Sequence, residues 1–143
     1  MEFLPLLREI VRSYQAFDNY SAPHIKSMSL TPSQFDVIAT LANQPPMTCK
    51  MLGNKTLITK GTLTGILDRL EIKGMIKRKT NEEDARSQKI MLTLDGQAIF
   101  EKTFPAHMHH LEKVFSQLSP HQMTDLTNAL KQLRKCMEKL TIS

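Results

Sequence analysis

LITKGTLTGILDRLEIKGMIKRKTNEEDARSQK, residues 57–89, is the stretch that decides the fold of this chain. It reads as a helix that begins at Thr59 and stops at Gly74, then a basic strand, a charged turn and the start of a second strand. A threonine hydroxyl can accept a hydrogen bond from an unpaired N–H at a helix start, and glycine readily adopts the left-handed conformation that ends a helix. This order of elements predicts a recognition helix followed by a β-wing.

The predicted helix has one apolar face. Its apolar residues recur at i, i+3, i+4 and i+7, the spacing of a single helical face, and they are Leu63, Ile66, Leu67 and Leu70. The other faces carry Lys60, Thr62, Thr64, Asp68 and Arg69. Small hydroxyls and a lysine near a helix N-terminus suit contact with base edges in a DNA major groove. An ordinary surface helix shows the same apolar stripe, so the helix alone leaves both interpretations open.

The positive charge of the chain is concentrated around this helix. The 143 residues include 19 Lys and Arg against 14 Asp and Glu, a formal net charge of +5. Residues 48–89 hold ten of the basic and five of the acidic side chains, so the rest of the chain is neutral. Such a patch favours a polyanionic partner. A membrane surface fits less well, because the basic residues do not line one face of a long amphipathic helix.

Length and composition narrow the class of protein. The length indicates one domain, or two small modules that share a core. No apolar run is long enough for a transmembrane helix, and the N-terminus lacks the basic region of a signal peptide. The cysteines, Cys49 and Cys136, do not form a disulfide framework, so we expect a cytoplasmic protein. Cys49 is interpreted as a buried small hydrophobe, while a redox role for either cysteine stays open.

Further helices are predicted on both sides of the winged module. Apolar spacing predicts a helix over residues 3–19 that is broken at Ser21-Ala22-Pro23. Thr31-Pro32-Ser33-Gln34 and Ser119-Pro120-His121-Gln122 carry the capping-box pattern with proline at the first helical position. The last two helices bear apolar stripes at alternating spacings of three and four, which are typical of helix–helix seams.

We therefore expect a mainly α fold, a winged helix-turn-helix with a two-stranded β-wing flanked by dimerisation helices. The expected division is 1–29 for an N-terminal helix in the dimerisation region, 30–100 for the DNA-binding domain and 101–143 for C-terminal dimerisation helices. An intramolecular bundle of the terminal helices is the alternative, because short heptad runs also form ordinary helix pairs.

Three tracts resemble the MarR (multiple antibiotic resistance regulator) family. They are LTPSQFDVIATL at 30–41, ITKGTLTGILDRLEIKG at 58–74, and the wing motif Asp84-Ala85-Arg86-Ser87 followed by Leu92-Thr93 and Gly96. The resemblance implies a triangular homodimer with a winged helix at two corners. It also implies repression of a promoter through a palindromic operator, relieved by a small molecule or an oxidant. Peroxide-sensing members use a cysteine in the first helix, and residues 1–20 contain none.

The resemblance also assigns roles to individual residues. Lys60, Thr62 and Thr64 would face the major groove, while Gly61 and Gly65 allow close backbone approach. Arg86 would enter the minor groove at the wing tip, oriented by Asp84. Phosphate or positioning contacts would come from Thr59, Arg69, Lys73, Arg78 and Ser87. Arg69 has an alternative role as a salt-bridge partner of Asp68 or Glu71.

Two other functions compete with DNA-binding regulation by a small-molecule inducer. His107 and His110, at i and i+3, with His24 as a possible third ligand, suggest a zinc-responsive regulator. A protein-interaction adaptor would use the same helices without needing the wing arginine. Catalysis is not expected, because the chain lacks a phosphate loop, a dinucleotide fingerprint and a nucleophile elbow. No cofactor is implied. Nine methionines are compatible with an adaptable ligand cavity.

Overall fold

Helices dominate the computed structural model, which describes residues 1–56 and 58–141. The helices are α1 (Leu4–Ser27), α2 (Pro32–Leu41), α3 (Cys49–Thr56), α4 (Lys60–Ile72), α5 (Leu94–Phe115) and α6 (Pro120–Glu138). The strands are β1 (Met47–Thr48), β2 (Ile76–Thr80) and β3 (Gln88–Leu92). The chain separates into two compact units, Met1–His107 and Met108–Ser143. Residues 142 and 143, the end of the predicted C-terminal segment, lie outside the described residues.

A single apolar core holds the first unit together. The four apolar positions predicted on the recognition helix are all buried in it, at Leu63, Ile66, Leu67 and Leu70. They pack with buried residues from the neighbouring helices and strands, including Val37, Ile38, Leu52, Ile76 and Ile90. Burying an apolar side chain of this size contributes roughly 1.5–3 kcal/mol. This core therefore fixes which face of α4 points outward.

The predicted two-stranded β-wing is confirmed, because β2 and β3 pair antiparallel from Ile76–Leu92 to Thr80–Gln88. The sequence did not predict that β1 adds a third strand to this sheet. The strand order is β1-β3-β2, and β3 is the central strand. Met47 pairs with Ile90 and Thr48 with Lys89. The two residues of β1 carry too little local signal to be recognised as a strand, because their pairing partner lies more than forty residues away in sequence.

The first helix is longer than predicted. It continues through Pro23 to Ser27, so the expectation of a break at Ser21-Ala22-Pro23 was wrong. Proline inside a helix removes one backbone hydrogen bond. Ser21, Ala22 and Ile25 are buried in this segment, and their packing favours the helix in spite of the missing bond.

Most predicted helix starts are confirmed. Thr31 and Ser119 each form the full capping box, with Gln34 and Gln122 as the reciprocal partners. Thr59 occupies the N-cap position of α4 but makes no side-chain capping bond. Its hydroxyl donates to the Thr62 hydroxyl at 3.0 Å instead, which corrects the expectation from sequence. Gly74 follows the end of α4 with φ +76°, as predicted for a left-handed stop.

The second unit contains the end of α5 and all of α6. Within the described residues, α6 has no buried residue, and its apolar side chains Met123, Leu126, Leu130 and Met137 are exposed. None of the helices in the described part of the chain combines the length and hydropathy that a transmembrane span requires.

Candidate nucleic-acid interface

The outward face of α4 is open and polar. The core takes Leu63, Ile66, Leu67 and Leu70, and Asp68, Glu71 and Ile72 are exposed. The positions that the sequence assigned to DNA in this segment are exposed as well, namely Thr59, Lys60, Gly61, Thr62, Thr64, Gly65 and Arg69. A Cβ added at Gly61 or Gly65 would meet nothing within 4 Å. These glycines are therefore not required by packing within the described structure, and they leave the backbone of the first two turns accessible.

The threonine hydroxyls on this face are partly engaged. Thr59 donates to the Thr62 oxygen, and Thr64 donates to the backbone carbonyl of Lys60 at 3.0 Å. Back-bonding of this kind uses the hydroxyl proton but leaves oxygen lone pairs available. Thr64 can thus still accept a hydrogen bond from a base or from water.

A cleft of about 930 Å³ lies between α3, α4 and the wing. Half of the predicted DNA-binding residues line it, namely Lys60, Thr64, Arg78, Asp84, Arg86 and Ser87. The others, Thr59, Gly61, Thr62, Gly65, Arg69 and Lys73, are exposed residues of α4 and its C-terminal end, and they do not line the cleft. The structure therefore brings Lys60 of the helix and Arg78 and Arg86 of the wing around one concave surface.

Helix α3 contributes residues that sequence reasoning missed. Lys50 and Asn54 line the same cleft, and Thr48 both lines it and caps α3 by accepting from the Met51 N–H at 3.2 Å. Cys49, predicted to be buried, is half-buried, packs against the core and also lines the cleft. The charge of Lys50, on the helix directly before the recognition helix, was the sequence signal that could have placed this helix at the cleft.

The tip of the wing is a hydrogen-bonded loop, residues 81–87. Its centre is Asn81, a buried residue that the sequence did not single out. The Asn81 amide donates to the Ser87 hydroxyl at 2.9 Å, and its oxygen accepts from the Glu83 N–H at 3.1 Å. The Ser87 hydroxyl in turn donates to the Asp84 carbonyl at 3.2 Å. Ser87, expected at the DNA backbone, therefore also holds the loop together.

Asp84 contacts Arg86 as expected. Its carboxylate accepts from the Arg86 backbone N–H at 3.0 Å and from the guanidinium Nε at 3.4 Å. The Arg86 side chain is nonetheless 94% exposed. An exposed ion pair contributes little to stability. The Asp84 carboxylate instead restrains a long cationic side chain that projects from the wing.

Arg78 has a different environment from the one expected of a phosphate contact. Its guanidinium Nη2 lies 2.9 Å from Asp68 Oδ1 and its Nε lies 4.0 Å from Glu71 Oε2. Both carboxylates belong to α4, and they are the residues that the sequence offered as partners of Arg69. In the structure these carboxylates therefore lie beside Arg78, and Arg69 is exposed on the helix surface.

The histidine cluster differs from the predicted metal pair. His107 is only 2% exposed, and its Nδ1 lies 2.9 Å from the Nδ1 of His24, which belongs to α1. Its Nε2 contacts the Ser21 hydroxyl at 3.0 Å, and its ring packs edge-on against Phe35. Within residues 1–56 and 58–141, no group of three or more His, Cys, Asp or Glu side chains is arranged to hold a metal ion.

Comparison with known proteins gives consistent similarities. The model of the MarR family matches residues 30–88. The HTH-type transcriptional regulator SarZ of Staphylococcus haemolyticus is 31% identical over 124 residues, which cover 87% of this chain and 78% of the relative. The HTH-type transcriptional regulator MhqR of Bacillus subtilis is 27% identical over 130 residues, covering 91% and 90%.

A solved structure extends the similarity to three dimensions. It is a mutant MarR from Escherichia coli in complex with operator DNA, 27% identical, with a TM-score of 0.83 over 92% of this chain and 95% of that one. The mainly helical winged fold expected from sequence is confirmed by this match. The named relatives are regulators of transcription rather than enzymes, in agreement with the expectation that the chain has no catalytic function.

Proposed function

This chain belongs to the MarR family of transcriptional regulators, and on that premise we propose that it binds a palindromic operator as a homodimer and represses transcription. It acts in the cytoplasm, and a small-molecule inducer releases it from DNA. The relative of known structure that was solved with operator DNA supports the assignment of double-stranded DNA as the partner.

The observation that carries the proposal is the cationic cleft between α3, α4 and the wing. Lys50, Lys60 and Arg86 line one concave surface there. Phosphate contacts made by such side chains supply most of the affinity of DNA-binding proteins and fix their register on the duplex. The charge excess of residues 48–89 points to the same partner. An adaptor that docks proteins would need neither feature.

The proposed roles of individual residues come from the family resemblance, and the exposure of these residues supports them. Lys60, Thr62 and Thr64 meet base edges in the major groove, with Gly61 and Gly65 allowing the backbone to approach. Arg86 enters the adjacent minor groove, restrained by Asp84. Thr59, Arg69 and Lys73 meet the phosphate backbone. Ser87 contacts the DNA phosphate backbone, and its hydrogen bonds within the wing loop fix the shape of the tip.

Dimerisation rests on exposed apolar surface in each unit. In the first unit, the N-terminal half of α1 exposes Leu4, Leu7, Val11 and Tyr14 at helical spacing. In the second unit, α6 exposes Leu126, Leu130 and Met137. Continuous apolar faces of this kind mark interaction sites in proteins. A two-fold dimer covers exposed apolar surface of this kind and presents one recognition helix to each half of a palindrome.

Induction works as a population shift. A ligand that binds more tightly to a dimer with wrongly spaced recognition helices increases the population of that state and lowers the affinity for the operator. The size of the decrease is limited by the ratio of the ligand's affinities for the two states. In this scheme residues 30–100 bind DNA, and the terminal segments 1–29 and 101–143 form the dimer.

The test is fluorescence anisotropy of the purified chain on duplexes that tile the DNA upstream of its own gene, at several salt concentrations, against a scrambled duplex of equal length. We expect selective binding to one near-palindromic tile that weakens steeply as salt rises. Equal, weak binding to every tile would contradict the proposal.

A further inference from the structure

We infer that Arg78 sets the position of the wing relative to the recognition helix, and so supports operator recognition as a positioning residue rather than as a phosphate contact. The inference rests on the function proposed above and assigns an indirect role to a residue at the same cleft. It follows from the direction of the Arg78 side chain, from its two partners and from the electrostatics of α4.

The alternation of β2 turns Arg78 inward. Successive side chains of a strand point to opposite faces, so Arg78 shares a face with Ile76, which is buried in the core. Lys77 and Lys79 lie on the opposite face and are exposed. The Arg78 side chain is only 21% exposed, in contrast to the 94% of Arg86.

The partners of Arg78 both belong to α4. Asp68 and Glu71 are three residues apart on this helix, and the guanidinium approaches Asp68 at 2.9 Å and Glu71 at 4.0 Å. A planar guanidinium with several N–H groups can engage two carboxylates in a fixed orientation, which a lysine cannot do. The contact therefore joins the first strand of the wing to the recognition helix by a directional link.

The ion pair with Arg78 accounts for a carboxylate at position 68 of the recognition helix. It is an exposed carboxylate on the helix that faces DNA, where an unpaired negative charge repels phosphates. Pairing with Arg78 neutralises the carboxylate and uses it to hold the wing. Recognition helix and wing enter different grooves, so their relative placement has to be kept within a fraction of an ångström for both to fit.

The decisive experiment is Asp68→Asn, because the two roles of Arg78 predict effects of opposite sign. If Arg78 is a positioning residue, Asp68→Asn weakens operator binding roughly tenfold, which is within the usual range of interaction energies between residues in contact. Binding to a scrambled duplex is then unchanged or tighter. If Arg78 is a phosphate contact, removing the carboxylate frees the guanidinium and adds net positive charge, so binding to both duplexes tightens.

A control variant, a double-mutant cycle and a charge exchange complete the test. Glu82→Gln removes an exposed carboxylate from the wing loop without touching the link, and is the matched control for charge. In a cycle of Asp68→Asn, Arg78→Gln and the double variant, the double variant should bind the operator no worse than either single one. The exchange of charges, Asp68→Arg with Arg78→Asp, should restore part of the lost operator selectivity, and thermal unfolding would verify that each variant folds.

The outcomes separate the inference from the function it rests on. If the wild-type chain shows no operator preference, the proposed function fails. If the wild type is selective and Asp68→Asn binds the operator as tightly or more tightly, Arg78 does not act by positioning. Additive losses in the cycle, with no rescue by the exchanged pair, would overturn the inference in the same way.

Discussion

Gly96 lies so close to Met75 that a side chain at position 96 cannot be accommodated, because a Cβ placed there would clash with the Met75 carbonyl oxygen. The neighbouring Thr93 hydroxyl donates to the Gly74 carbonyl at 2.5 Å and accepts from the Gly96 N–H at 3.1 Å. The start of α5 is thus pressed against the turn between α4 and β2, and this contact anchors the base of the wing.

Gly96→Ala should destabilise the protein by about 3 kcal/mol or more, because a backbone atom rather than a flexible side chain blocks the new methyl group. Chemical denaturation followed by circular dichroism measures the change. An unchanged denaturation midpoint would show that the contact between α5 and the turn relaxes freely.

Gly65→Ala should act in the opposite direction on stability and yet impair binding. The position is open in the free protein, so alanine should stabilise α4 by about 0.5–1 kcal/mol through its higher helix propensity. On DNA the methyl group would stand between the helix backbone and the base edges, so operator affinity should fall. A variant that is more stable and binds equally well would show that the backbone of α4 does not approach DNA at this position.

Arg86→Ala should lower operator affinity roughly tenfold, with a weaker preference for A·T pairs flanking each half-site. Anisotropy titrations on operators with A·T or G·C flanks measure both effects. Thr62→Ala is the comparison, since it should relax sequence preference inside the half-site and leave the flanks unaffected. Identical flank preferences in wild type and Arg86→Ala would mean that the wing does not read the minor groove.

Leu130→Glu should shift the protein from dimer to monomer, because it places a charge in the exposed apolar stripe of α6. Light scattering coupled to size exclusion gives the mass directly. The control is Ile72→Glu, which introduces the same charge at a more exposed apolar residue outside the terminal helices. A dimeric Leu130→Glu protein would place the interface elsewhere.

Asp36→Asn should stabilise the folded state at neutral pH. Burial raises the pKa of the Asp36 carboxyl, so the folded state keeps this proton to higher pH than the unfolded state does. The wild type therefore loses stability as pH rises through this range, and above it the half-buried charge imposes its full cost. Thermal unfolding at pH 7 should favour Asp36→Asn, and the difference should shrink towards about pH 4. An equal difference at both pH values would argue against a half-buried charge.

Local signals predicted the fold well where the interactions are themselves local. The capping boxes at Thr31 and Ser119 involve residues three positions apart, and the apolar stripe of α4 repeats within two turns. The expected break at Pro23 failed because the burial of Ala22 and Ile25, a tertiary effect, outweighed the local preference of proline.

The sequence offered a set of candidate site residues but not their geometry. The family resemblance gave Arg78 a phosphate or positioning contact, although its position two residues after Ile76 already indicated an inward side chain. Asn81 had no signal of its own, because its partners Glu83 and Ser87 become evident only when the loop is closed. The pairing of His24 with His107 depends on the packing of α1 beside α5, which sequence spacing does not reveal.

The short strand β1 has a consequence for the motion of the wing. Because Met47 pairs with Ile90 and Thr48 with Lys89, β3 has a paired strand on both sides in the half that lies next to the tip loop. Amide hydrogens of the central strand should exchange with solvent more slowly than those of the outer strand β2, and local opening should begin at the tip, residues 81–87. The wing therefore fluctuates as a loop on a fixed base and does not swing as a detached hairpin.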